Sequence, residues 1–145
     1  MILLIGLGNP GSEYSGTRHN IGQEIIDLAR EKWRATPWKK RFDALFSEVN
    51  INNTNVLLVK PLPFMNLSGV AAKKFVDYYN LQPSDVLIVS DDLSLPVGTV
   101  RLKRRTGSGG HNGLKSIQNA LGAEINVIKI GVGHPGTKDD VIRHV

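Results

Sequence analysis

The chain has 145 residues, enough for one domain that buries about two thirds of its unfolded surface, and no stretch approaches the ~20 apolar residues of a membrane span. Cysteine is absent, which excludes thiol catalysis, disulfides and thiolate metal sites and is compatible with a cytoplasmic enzyme. Lys plus Arg outnumber Asp plus Glu by 18 to 13, and the resulting +5 raises the odds of an anionic partner, nucleic acid foremost.

Met1-Ile2-Leu3-Leu4-Ile5 is an unbroken apolar run, the pattern of a strand buried on both faces in a largely parallel sheet. Because a strand begins at the first residue, without the basic flank and cleavage site of a signal peptide, no secretory leader is expected. Gly6-Leu7-Gly8-Asn9-Pro10-Gly11 then opens a loop that runs through Tyr14 to Thr17-Arg18-His19-Asn20. Ile21, Ile25, Leu28, Ala29 and Trp33 recur at helical spacing and predict a helix over about 21–33, with Asn20 as its N-cap and Gln23 completing a capping box. Asn9 and His19 therefore lie at the carboxyl end of a central strand and just before a helix, where open α/β sheets place their ligands. Gly6-x-Gly8-x-x-Gly11 matches the dinucleotide fingerprint in form only. Pro10, Gly11 and Gly16 keep the chain irregular where that fingerprint needs a helix start, and Asp27 and Glu31 fall on a helix face, not at a strand end.

Arg34 to Arg41 is a basic crossing whose Lys39-Lys40-Arg41 run reads as a solvated loop in preference to a phosphate contact. Ala44 to Ile51 and Val56 to Lys60 form a hairpin across Asn52-Asn53-Thr54-Asn55, ended by Pro61 and Pro63. A second helix is expected over about 70–80, then an apolar strand at Val86-Leu87-Ile88-Val89, stopped by Ser90-Asp91-Asp92. Val97 to Lys103 alternates as a half-buried strand, and Gly107 to Gly110 make a glycine-rich loop before a short helix over about 113–121. A third apolar strand, Val127 to Val132, leads to Gly133-His134-Pro135-Gly136. Strands alternating with helices indicate one α/β domain, a twisted mixed sheet, largely parallel, flanked by helices.

Asn9, His19, Asn66, Asp91 and Asn112 all sit in loops or at strand ends that this layout brings together. A His paired with a carboxylate is a general base, since the acidic group selects the tautomer and favours the imidazolium that forms. The nucleophile is left open by the residues alone, but the lack of a Gly-x-Ser-x-Gly elbow and of cysteine favours an activated water, hence a hydrolase, and Asn carboxamides can donate to a developing oxyanion. The bland alternatives are a surface histidine, a turn-capping Asp91, and helix-capping roles for Asn66 and Asn112. His111 and His134 lack the spacing and acidic company of a metal site. Arg101, Lys103, Arg104 and Arg105 beside the glycine loop are candidate phosphate contacts, their alternative being a solvated strand edge.

These blocks, together with Phe64-Met65-Asn66-Leu67-Ser68-Gly69, Gly109-Gly110-His111-Asn112-Gly113-Leu114-Lys115 and Ile130-Gly131-Val132-Gly133-His134-Pro135-Gly136, resemble bacterial-type peptidyl-tRNA hydrolase, in the family's order and along the whole chain. The resemblance implies a cytoplasmic, monomeric enzyme of translation and ribosome rescue. It would cleave the ester between a peptide and the 3′-terminal ribose of tRNA, without a cofactor. It makes His19 the base that activates water, Asp91 its support, and Asn9 the reader of the blocked α-nitrogen. Tyr14, Phe64, Asn66 and Asn112 become substrate contacts, with Met65 shaping the cleft, and Lys103 and Lys129 clamp tRNA phosphate. The family commonly carries Arg at the position of Lys129, and Lys keeps the charge without the bidentate fork. It usually reads His-Asp-Glu where this chain has Ser90-Asp91-Asp92. A runner-up is a binding module on the same fold, like the chloroplast splicing factor that resembles these hydrolases. Family members generally continue into a mobile lid and a C-terminal helix, and the chain is expected to lack both.

Overall fold

A computed structural model describes residues 1–8, 20–62 and 68–132. Its elements are β1 (Ile2–Gly6), α1 (Ile21–Trp33), β2 (Lys39–Arg41), β3 (Ala44–Ile51), β4 (Thr54–Pro61), α2 (Ser68–Tyr78), a 3₁₀ turn (Pro83–Asp85), β5 (Val86–Asp92), β6 (Val100–Thr106), α3 (Asn112–Leu121) and β7 (Ile125–Gly131). Seven strands make one sheet in the order β2-β3-β4-β1-β5-β7-β6. The centre is parallel, β4 and β5 flanking β1 and β7 flanking β5, while β2–β3, β3–β4 and β6–β7 are antiparallel. The expected mixed α/β sheet flanked by helices is what forms.

The apolar runs explain the centre. A strand covered on both faces must be apolar at odd and even positions alike, and β1 sends Leu3 and Ile5 into one core and Leu4 into the other. The first core joins β1, β4, β5 and β7 to α2 and α3 through Phe75, Ala71, Ala72, Leu114 and Ile117. The second lies under α1, where Ile26 meets Leu4, Leu58 and Val89. The chain leaves β1 for β4 on one side and returns to β5 on the other, so β1 is the topological switch point and its carboxyl end opens a crevice.

Several expectations need correcting at the edges. Lys39-Lys40-Arg41 is not a loop but the edge strand β2, paired with Phe46, Leu45 and Ala44. Its turn, Phe42–Asp43, has φ of 54° and 59°, the left-handed pair of a two-residue hairpin, and the Phe42 ring packs edge-on against Phe75 at 5.2 Å. The strand expected from Val97 starts at Val100 and is not half-buried. It is the other edge, with Val100 65% and Leu102 52% exposed. Of the residues whose spacing predicts α1, Leu28 is exposed, and the helix buries Gly22 and Ile26. Asp91 does not follow β5 but lies within it, opposite Ile130 of β7.

Candidate active site

The carboxyl ends of β1, β4 and β5 meet beneath the first turn of α1. The Leu7 N–H donates to Val89 O at 3.0 Å, and the Gln23 N–H donates to Leu7 O at 3.2 Å, which seats α1 on the strand ends. Gly22 permits this contact, because a Cβ there would stand 2.4 Å from Val89 O. Asn20 is the N-cap residue and is buried, but its side chain makes no capping bond, so the expected capping box is absent. The Gln23 amide instead donates to two carbonyls, Gly8 O and Pro61 O, each at 3.1 Å.

Asp91 is buried at the end of β5, and His111 Nε2 lies 2.8 Å from its Oδ1. On the other side of the ring, His111 Nδ1 accepts from the Gly113 and Leu114 N–H groups at 3.1 and 3.3 Å. A nitrogen that accepts carries no proton, so this network assigns the neutral Nε2–H tautomer, donating to the carboxylate. His111 is thereby the N-cap of α3. Asn112, weighed as a cap, is the first helical residue and turns an exposed side chain outward. The glycine loop supplies the turn: Gly109 and Gly110 have φ of 57° and 84°, and the His111 N–H donates to Ser108 O. A carboxylate accepts up to about four hydrogen bonds, so the bond to His111 is compatible with a second imidazole donor on Asp91.

Next to this pair, Lys129 on β7 lies 3.5 Å from Asp92 Oδ2, while Asp92 Oδ1 accepts from the Ser94 N–H and hydroxyl at 2.8 and 2.6 Å. Burial alone pushes the Asp92 carboxyl up, but the Ser94 bonds and the Lys129 charge outweigh it, and the net direction is below the usual carboxylate range. The β6–β7 register sets Arg101 opposite Lys129 and Lys103 opposite Val127, so the three cations share one sheet face. Lys103 is exposed and Lys129 mostly covered.

Of the candidate residues, Asp91, Asn112, Lys103 and Lys129 are placed: Asp91 and Lys129 lie near the carboxyl ends of β5 and β7, Asn112 opens α3, and Lys103 is level with Val127, earlier in β7. Asn9, Tyr14, His19, Phe64, Met65 and Asn66 lie outside the described residues. His111 and Gln23 received no site role from the sequence. The signals for His111 were its position between the glycine pair and a helix start and its place in the Gly109 to Lys115 block. Among the described residues no group of three His, Cys, Asp or Glu side chains could hold a metal, and no helix is long and apolar enough to cross a membrane.

The family model for peptidyl-tRNA hydrolase matches residues 3–145. The chain belongs to the peptidyl-tRNA hydrolase family. It is 46% identical over its full length to a peptidyl-tRNA hydrolase of Rhizobium rhizogenes, of which it spans 61%, and 49% identical to that of Listeria welshimeri, of which it spans 79%. A crystal structure of peptidyl-tRNA hydrolase from Acinetobacter baumannii superposes with a TM-score of 0.93 at 39% identity, covering all of this chain and 74% of that one. The seven-stranded mixed sheet is thus this family's scaffold.

Proposed function

We propose that this chain hydrolyses the ester linking a peptide to the 3′-terminal ribose of tRNA, acting as a cytoplasmic monomer that returns tRNA to translation. The observation that carries this reading is the buried Asp91, held by His111 at the carboxyl end of β5 beside the Lys103–Lys129 face, in a chain of this family. A fixed carboxylate supports an imidazole that takes a proton from water, and His19 supplies that imidazole. Water attacks the ester carbonyl, the carbonyl oxygen gains the charge, and the ribose oxygen leaves with a proton from the imidazolium. Asn9 reads the blocked α-nitrogen, and Tyr14, Phe64, Met65 and Asn66 form the cleft around the peptide. Exposed Asn112 contacts the acceptor end, and Lys103 and Lys129 take phosphate.

The test is release of labelled peptide from peptidyl-tRNA, with aminoacyl-tRNA as control and His19→Ala alongside. The expected result is release from the blocked substrate only, abolished in His19→Ala with tRNA binding kept. Binding of tRNA without release would support an RNA-binding module on the same fold and overturn the hydrolase reading.

A further inference from the structure

We propose that Gln23 is a positioning residue, a two-pronged clamp that fixes the spacing between the two loops leading to Asn9 and to Phe64, Met65 and Asn66. The inference rests on the hydrolase reading for its catalytic consequence, not for its geometry. The β1–β4 ladder runs from Ile2 opposite Val56 to Ile5 opposite Val59 and then stops. Past that point the Leu7 N–H turns to Val89 O on β5, so β1 and β4 part. The carbonyls of Gly8 and Pro61 lie just beyond the last pair, where a backbone acceptor still needs a donor.

A primary carboxamide has two N–H donors, and Gln23 gives one to each carbonyl at 3.1 Å. Flipping the amide would set its oxygen against two acceptors, so the orientation is fixed by chemistry. The clamp stands on a rigid base: the Gln23 N–H is itself bonded to Leu7 O, and the neighbouring Gly22 sits against Val89 and Leu7 backbone. Its stem also covers Gly8, whose added Cβ would lie 3.1 Å from Gln23 Cγ. From the far side, the Leu62 N–H donates to Asp43 O at 2.7 Å, and Asp43 is paired with Lys74 of α2 at 2.9 Å. One residue beyond Gly8 is Asn9, and Phe64 follows Pro61 by three. The side chain of Gln23 therefore sets how far apart these two stretches begin. Lys103 and Lys129 stand on β6 and β7, away from the clamp, so phosphate affinity does not depend on it.

Gln23→Met keeps the length of the side chain and removes both donors. Expected are shifts in the backbone amide NMR signals of Asn9 and of Phe64 or Asn66, and a fall in kcat of about tenfold or more, since small misplacement of reacting groups is costly. The tRNA affinity stays within about twofold, as phosphate contacts dominate it. Should Gln23→Met fail to fold, Gln23→Asn, which keeps the amide but shortens its reach, is expected to lose one bond and shift the signals of one loop. Unmoved loop signals in a folded variant, or moved signals with unchanged kcat, would overturn the proposal. If the parent chain releases no peptide, the hydrolase reading fails by itself, and the NMR shifts alone decide whether the clamp exists.

Discussion

Replacing Gly22 by Ala sets two effects of known size against each other. In an exposed helix the change stabilises by ~1 kcal/mol, because alanine loses less backbone freedom. Here the new methyl would lie 2.4 Å from Val89 O, 2.7 Å from Leu7 O and 2.8 Å from Leu7 N. These are backbone atoms of buried strand ends and cannot swing aside, so α1 must retreat by about 1 Å to restore van der Waals distance. Overpacking of this kind costs about 1–3 kcal/mol, and contact with three backbone atoms places it at the upper end. The net is a loss of about 1–2 kcal/mol, or a fall in Tm of roughly 2–8 °C for a domain of this size. The retreat also stretches the hydrogen bond from the Gln23 N–H to Leu7 O, so the Gln23 amide should exchange faster with solvent than in the parent, while the amides of α3 keep their parent rates. Thermal melts and hydrogen exchange of the two proteins measure this directly. A Gly22→Ala protein that melts at or above the parent temperature would refute the reasoning, since helix propensity would then have won.

His111→Ala strips a buried carboxylate of a donor and α3 of its cap, and should cost about 2–4 kcal/mol in urea unfolding; an unchanged midpoint would show that the pair carries no stability. Losing Lys103 or Lys129 should each flatten the salt dependence of tRNA binding by ~1 unit, read from titrations across ionic strength, and binding insensitive to salt would exclude phosphate clamping. Asp92 has its folded pKa lowered, so it contributes stability above the unfolded value of about 3.9 and loses it as pH falls through the folded one. The stability gap between parent and Asp92→Asn should therefore be open at neutral pH and close below about pH 4. A gap that persists at the acid end would assign the effect to packing.

Much was legible in the chain itself, for reasons that are local. A strand segment covered on both faces reads as a near-continuous apolar run, so β1, the Val86–Val89 half of β5 and most of β7, broken at Asn126 and Lys129, declare themselves. The first helix shows its bounds through periodicity, and the β3–β4 hairpin shows itself through Asn52 and Asn53, which occupy φ of 49° and 67° at little cost. Family motifs spread over the whole length pointed to the scaffold. The edges were less legible: β2 reads as a loop, and β6 as a strand with the wrong start and too much burial, because both owe their strand character to hydrogen bonds offered by β3 and β7, and an exposed strand needs no apolar pattern. Pairings across long separations were hidden for the same reason. Whether Asp91 meets His111, twenty positions on, or Gln23 meets Pro61, thirty-eight away, depends on strand order and on where each ladder stops. Residue types determined which groups could donate, accept or carry charge, while the tertiary fold alone decided which of them face one another, because distance along the chain says nothing of distance across a sheet.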